Sequence, residues 1–167
     1  MTVSFSNQHC AEIADASDVG AARRTALRLA QEAGLDETAR GRVGIVVNEL
    51  ANNILKHARH GTLLLQRIGL GGAGMEIIAI DAGPGMGNID KCLADGYSTG
   101  GTAGNGLGAV QRLSSEFDIW SAASGTVVMS RVLGDSTDRS VAGFGGVCVA
   151  LKGEDACGDA WAVRRDD

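Results

Sequence analysis

The stretch Met75-Glu76-Ile77-Ile78-Ala79-Ile80-Asp81-Ala82-Gly83-Pro84-Gly85-Met86-Gly87 decides how the rest of the chain is read. Met75 to Ile80 is a largely apolar run of strand length that ends on a carboxylate. Glycines at alternating positions follow. They let the backbone approach a flat ligand closely, while Asp81 is placed to accept a directed hydrogen bond. An ordinary turn is the competing reading, but turns rarely need three spaced glycines together with a proline.

Upstream of this stretch the pattern is helical. After a β-prone start at Val3 to Ser6, Asp18 or Ser17 can cap a helix through Ala21, Leu27 and Ala30 that Gly34 closes. Asp36 starts a second helix running to about Ala58. Its apolar positions Val43, Val47, Leu50 and Ile54 fall within an arc of roughly 60° at about 100° per residue, a core-facing stripe. Strands are expected at Thr62 to Ile68, at Met75 to Ile80, and at Phe117 to Ser121 leading into Thr126 to Leu133. Between the last two lie a short helix around Ile89 to Ala94 and a second opening near Gly106 and continuing through Val110 and Leu113. Helices first, then strands broken by a glycine-rich segment, predict an α+β two-layer sandwich: a mixed, mostly antiparallel sheet with helices on one face.

Composition narrows the function. The 167 residues have room for one full domain. With 44% hydrophobic and 21% charged residues the chain has an ordinary globular composition. Its 25 glycines and single proline are not ordinary, and they point to function carried by loops. A net charge of -5 argues against nucleic-acid binding, since no basic stretch could neutralise a duplex. Arg23, Arg24 and Arg28 recur at helical spacing and read as a solvated helix face. Scattered Cys10, Cys92, Cys148 and Cys157, without a CxxC pair or secretory leader, suit reduced thiols in a cytoplasm. No apolar run approaches the roughly 20 residues that span a bilayer, so no membrane partner is expected.

Two further features converge on Asp81. On the second helix Glu49, Asn52, Asn53 and Lys56 share an arc of roughly 100°, apart from the apolar stripe. Later, Ser98-Thr99-Gly100-Gly101-Thr102-Ala103-Gly104-Asn105-Gly106-Leu107-Gly108 runs directly into the helical Ala109-Val110-Gln111-Arg112-Leu113. Backbone N–H groups at such a helix start make a site for phosphate oxygens. A flexible linker is the alternative, but a linker has no reason to end in Gly-Leu-Gly against a helix.

Glu49-Leu50-Ala51-Asn52-Asn53 with Lys56-His57 resembles the N box of the GHKL ATPase superfamily; Asp81 to Gly87 is similar to its first glycine box and Gly104 to Gly108 to its second. Asp95-Gly96-Tyr97-Ser98-Thr99, and Arg112-Leu113 through Glu116-Phe117-Asp118-Ile119, most resemble the switch kinases of the RsbT, RsbW and SpoIIAB type that regulate bacterial sigma factors. The resemblance spans residues 10 to 133 and implies a Bergerat-type ATP-binding fold. It implies ATP and Mg²⁺ as cofactors, with Asn53 holding the metal against the phosphates and Asp81 receiving the adenine amino group. Glu49 would orient or deprotonate the attacking hydroxyl, and Thr126 would help close the adenine pocket. The box residues Lys56, His57, Gly83, Gly85, Met86, Gly87, Ser98, Thr99, Gly104, Asn105, Gly106, Leu107 and Gly108 would complete the nucleotide site. His57 and His60 admit a metal pair at helical spacing, but with no third ligand nearby, packing or a phosphate contact from His57 is favoured.

The resemblance implies transfer of the ATP γ-phosphate to a serine of a STAS-domain antagonist protein. A sigma factor, a phosphatase and a second copy of the chain are further partners it admits. A non-catalytic, ATP-sensing module regulating a fused or partner phosphatase is the second reading. Residues 134–142 read as a linker. Residues 143–167, from Gly145-Gly146-Val147-Cys148 to Cys157-Gly158-Asp159-Ala160-Trp161, resemble the opening of a SpoIIE-type metal-dependent phosphatase domain with Asp159 as its metal ligand. The other acidic ligands of a two-metal site are missing, so phosphatase activity is not expected. The tail is expected to be partly disordered or to pack as an extra strand.

Overall fold

Asp15 and Asp36 each stand ahead of an apolar helical stripe, and each becomes a helix cap in the computed structural model, which describes residues 8–68, 73–93 and 106–134. The elements in chain order are β1 (His9–Ile13), α1 (Ala16–Glu32), α2 (Glu37–Asn53), β2 (Gly61–Ile68), β3 (Gly74–Asp81), α3 (Ile89–Leu93), α4 (Gly106–Leu113), β4 (Glu116–Ala122) and β5 (Gly125–Leu133). A π-helical turn, Ile54–Ala58, continues α2 and ends at Arg59, whose φ is 69°.

The cap of α1 lies earlier than the sequence suggests. Asp15 accepts the Ser17 backbone N–H at 2.7 Å, and Asp18 Oδ2 accepts the Asp15 N–H at 3.0 Å, a reciprocal capping box. Ser17 and Asp18 therefore occupy the first turn rather than the cap, because the three-residue spacing of the two carboxylates satisfies more of the free N–H groups there. Gly34 closes the helix as expected, in the left-handed conformation. The cap of α2 is Asp36, which accepts the Ala39 N–H at 2.7 Å.

The five strands form one sheet in the order β1-β2-β3-β5-β4. Every pairing is antiparallel, so the parallel component that a mixed sheet would include is absent among the described strands. β4 and β5, read in the sequence as one run leading into the next, are a hairpin turning at Ala123-Ser124. β1 is a strand the sequence reading did not place; the expected one at Val3 to Ser6 lies outside the described residues, as do Ala94, the 134–142 linker beyond Gly134 and the 143–167 segment.

Alternation along the strands puts Ile13, Leu63, Leu65, Met75, Ile77, Ala79, Val128 and Val132 on one sheet face, in one core cluster with α1 and α2. Val19, Ala22, Ala26, Leu29 and Ala30 come from α1; Val43, Val47 and Leu50 come from α2, followed by Ile54. The stripe expected on α2 is thus the buried one. Arg23, Arg24 and Arg28 are exposed, as read. On the opposite face Arg131 donates from Nε to Glu76 and from Nη1 to Glu116, both at 2.7 Å. Burial opposes the Arg131 charge, but those hydrogen bonds and the two carboxylate charges more than offset it. Along the same face Trp120 is 57% exposed. No helix among the described residues is long and apolar enough to cross a membrane.

Two outcomes follow from this packing. Leu50→Ala, at a side chain only 1% exposed, leaves a cavity under α2 and lowers unfolding free energy by about 2–5 kcal/mol, read from denaturant melts. The Ser17 hydroxyl, and then the backbone N–H groups of Ser17 and Asp18, hold the Asp15 carboxyl below its ordinary range. A depressed carboxyl stabilises the fold above its unfolded pKa, and that contribution disappears as pH falls through the folded one. The melting temperature of Asp15→Ala is therefore lower than that of the parent at neutral pH, and the gap closes as the solution is acidified below the carboxylate range.

Candidate functional site

The core-facing stripe of α2 leaves Glu49 and Asn53 on the flank of the helix, one turn apart and half-buried. That flank meets the start of α4. A Cβ placed on Gly106 would lie 2.7 Å from Glu49 Oε2 and 3.8 Å from Asn53 Oδ1. Both oxygens thus reach the N-terminus of α4, where the first N–H groups have no partner within their helix and the dipole is positive. Leu107, buried with Gly108 and Val110, seats this end of α4 in the core. Leu107 is accordingly an anchor of the helix, and its side chain is spent on packing. Asn52, on the same polar arc, turns back on its own helix and donates from Nδ2 to the Asn48 carbonyl at 2.8 Å.

Farther along, the π-helical turn brings α2 to the Asp81 loop. A Cβ on Gly83 would lie 2.9 Å from Ala58 Cβ, so the loop passes against the end of the turn with no side chain between. Asp81 closes the last register pair of β3 with Gly61 on one side and with Thr126 on the other. Its Oδ1 accepts the Gly83 N–H at 2.8 Å, which shapes the loop and leaves Oδ2 for another donor. Gly85 takes a φ of 71°, and a Cβ there would lie 2.0 Å from the Ala122 carbonyl oxygen. Only a residue without a side chain fits that contact with the end of β4. Gly125 serves the same purpose from β5, where a Cβ would be 2.1 Å from the Asp81 carbonyl oxygen. Met86 packs its side chain against the core and donates its N–H to Ser121 Oγ at 2.8 Å; Gly87 is exposed.

The structure therefore sets Glu49 and Asn53 against Gly106 on the flank of α2, and brings Asp81, Gly83, Gly85, Met86 and Thr126 together at the end of β3, with the π-helical turn running from the first group to the loop of the second. Lys56 and His57 sit exposed on the π-helical turn at the rim. His60 is exposed as well, and no cluster of three or more His, Cys, Asp or Glu able to hold a metal occurs among the described residues. Ser98, Thr99, Gly104 and Asn105 lie outside the described residues. A depression of about 320 Å³ between α1 and α2, lined by Leu27, Arg28, Gln31, Glu37, Arg40 and Gly41, is formed by none of these site residues.

Sequence reasoning missed Ser121, Ala58 and Ala122. Ser121 was recoverable in part from its place in a hairpin that ends beside Thr126. The contacts of Ala58 and Ala122 with the loop are made through a methyl group and a carbonyl oxygen, to which no residue type corresponds. Oxygen donors suit Mg²⁺, which prefers hard ligands and keeps waters, and the amide oxygen of Asn53 beside the carboxylate of Glu49 meets that requirement.

The sequence model for the Histidine kinase-like ATPase domain matches residues 13–131. The chain is 37% identical over 120 residues to the Serine/threonine-protein kinase RsbT of Bacillus subtilis (strain 168), covering 71% of this chain and 90% of that one. Among solved structures it is similar to full-length ShkA in complex with AMPPNP, with a TM-score of 0.48, 19% identity, and coverage of 72% of this chain and 30% of that one. It is also similar to the mycobacterial sensor histidine kinase MprB, with a TM-score of 0.43, 18% identity, and coverage of 57% and 72%. The match to the family model over most of the chain and the identity to the kinase agree: this chain belongs to the histidine kinase-like ATPase domain family.

Proposed function

We propose that the chain is an ATP-dependent protein serine/threonine kinase of a sigma-factor partner-switching pathway, acting in the cytoplasm on a serine of a STAS-domain antagonist. The observation that carries this reading is the meeting of Glu49 Oε2 and Asn53 Oδ1 at the start of α4. A carboxylate, an amide oxygen and a positive helix end gathered at one point suit the γ-phosphate end of a nucleotide, where charge must be neutralised and a nucleophile oriented. The 37% identity to a serine/threonine kinase over nearly that protein's whole length supports the same assignment.

In this scheme Asp81 Oδ2 accepts the adenine amino group and the Asp81 loop lies along the base. The N–H groups opening α4 bind phosphate oxygens. Asn53 would hold Mg²⁺ through Oδ1, and the metal when bound supplies neutralisation of phosphate charge. Glu49 accepts the proton of the substrate serine as its oxygen bonds to the γ-phosphorus and ADP leaves. A base must stand within hydrogen-bond reach of the proton it takes, and Glu49 is one helical turn from the proposed metal ligand. Phosphate contacts from Ser98, Thr99, Gly104, Asn105 and His57 are carried by the family resemblance. A sigma factor, a phosphatase and a second copy of the chain are the remaining partners proposed.

Two substitutions test the site. Asp81→Asn replaces a charge-assisted acceptor, worth about 1.5–3 kcal/mol, so affinity for Mg-ATP in calorimetric titration falls roughly 10- to 100-fold. Glu49→Gln leaves that affinity close to the parent's and lowers phosphate transfer from labelled ATP to a STAS-domain partner by roughly 10²- to 10⁴-fold. Parent protein that binds ATP and the partner but transfers no phosphate would sink the kinase reading in favour of a nucleotide-sensing module. Parent protein indifferent to ATP would sink both.

A further inference from the structure

Ser130 sits on the helix-covered face of β5 with Val128 and Val132 on either side of it in the strand alternation, and its exposure is 0%. A hydroxyl in such a place costs stability unless it is hydrogen-bonded. Its partner is Ser114, the residue that follows α4, with the two Oγ atoms 2.6 Å apart. Ser114 Oγ also stands 2.6 Å from the Val110 carbonyl oxygen. The carbonyl has no proton, so Ser114 gives its single proton to Val110, and Ser130 is the donor to Ser114. The next residue extends the tie. The Ser115 N–H donates to the Arg131 carbonyl at 2.7 Å, and Ser115 Oγ accepts the Leu133 N–H at 3.1 Å. The C-terminal end of α4 is thus stitched to β5, an interior strand held by β3 on one side and β4 on the other.

The opposite end of α4 is the one that meets Glu49 and Asn53. The helix is 8 residues long, so its two ends are separated by about 12 Å at roughly 1.5 Å per residue. Between them α4 is seated by Leu107 and Val110, which enter the core. Apolar burial has no direction, and by itself it lets a short helix slide along its axis. Hydrogen bonds to fixed atoms of a strand are directional and do not. Axial position matters at the start of the helix, because a Cβ on Gly106 would lie only 2.7 Å from Glu49 Oε2. A displacement toward α2 closes that approach, and one away from it opens the site.

We propose that Ser114 and Ser130 are positioning residues for the phosphate-binding end of α4: their bond fixes the helix along its axis and so sets its first N–H groups against Glu49 and Asn53. The inference rests on the nucleotide site proposed above. It assigns neither serine a contact with the nucleotide.

The test pairs calorimetric titration with Mg-ATP and denaturant melts, both on the full chain. Ser114→Ala leaves the Ser130 hydroxyl buried without its partner, and both stability and affinity for Mg-ATP fall. Adding Ser130→Ala removes the second polar group, and stability returns close to the parent's. Affinity does not return with it: the double variant binds Mg-ATP roughly five- to ten-fold more weakly than the parent, since one positioning hydrogen bond is gone. Ser114→Thr, which keeps the hydroxyl, binds as the parent does. Ser114→Cys keeps the side-chain shape, weakens the bonds and shows the same loss of affinity should the double variant fold poorly. In a purely structural role affinity would follow stability, and the double variant would regain both. That result, or parent affinity in Ser114→Cys, overturns the inference while leaving ATP binding standing. A parent that does not bind Mg-ATP overturns the nucleotide site itself and this inference with it.

Discussion

The packing of one stripe of α2, Val43, Val47, Leu50 and Ile54, onto the antiparallel sheet is the constraint from which the rest of the molecule takes its geometry. A helix has one rotational setting that buries such a stripe. Once that setting is fixed, Glu49 and Asn53 have no choice of direction: they emerge on the flank and meet the start of α4. The same seating carries the end of the helix to Gly61 and to the Asp81 loop, where a Cβ on Gly61 would lie 2.9 Å from Ile54 Cγ2. Core and candidate site are therefore two faces of one helix, and Glu49 and Asn53 stand on the same element that makes the hydrophobic contacts behind them.

At the other end of the site rigidity has a different origin. The loop from Ala82 to Gly87 has little side chain to pack, and it is held instead by backbone contacts and short hydrogen bonds. Gly85 lies on the Ala122 carbonyl, Gly125 on the Asp81 carbonyl, and Gly83 against Ala58. Each of these approaches excludes a Cβ, so glycine at these three positions has a steric cause, whereas a Cβ on Gly41 or Gly87 would meet nothing within 4 Å. Asp81 and Ser121 then tie the loop through its N–H groups. Such a loop presents backbone and one carboxylate, with the shape of its surface determined by its supports.

What the sequence disclosed, and what it withheld, divides along physical lines. The α2 stripe was legible because burial on a helix leaves a 3.6-residue period, and the buried residues are the expected ones. Asp81 and its glycines were legible because a carboxylate at a strand end and glycine at close approaches are residue-type requirements. β1 was not, since His9, Cys10, Ala11, Glu12 and Ile13 have little intrinsic strand character; pairing with β2 makes them a strand. The α1 cap was displaced because Asp15 and Asp18 together satisfy more backbone donors than Ser17 or Asp18 alone. Ser121 escaped notice because its meaning lies in a hydrogen bond to Met86, thirty-five positions away. No local pattern encodes such a bond. The convergence of Glu49 and Asn53 on Gly106 was implied by motif order and required the fold to become a distance.

The row formed by Asp81, Thr126 and Ser121 crosses from β3 to β5 to β4, so it joins chain segments that lie far apart in the sequence. β4 and β5 zip together locally, but their union with β3 must first close a long loop, and such closures are the slow events of folding. The helical half of the molecule and the strands from β1 to β3 can assemble before that happens. The row is therefore a late-maturing part of this polypeptide: a chain arrested before the final hairpin docks has its two long helices seated and the sheet still lacking the strand that carries Thr126.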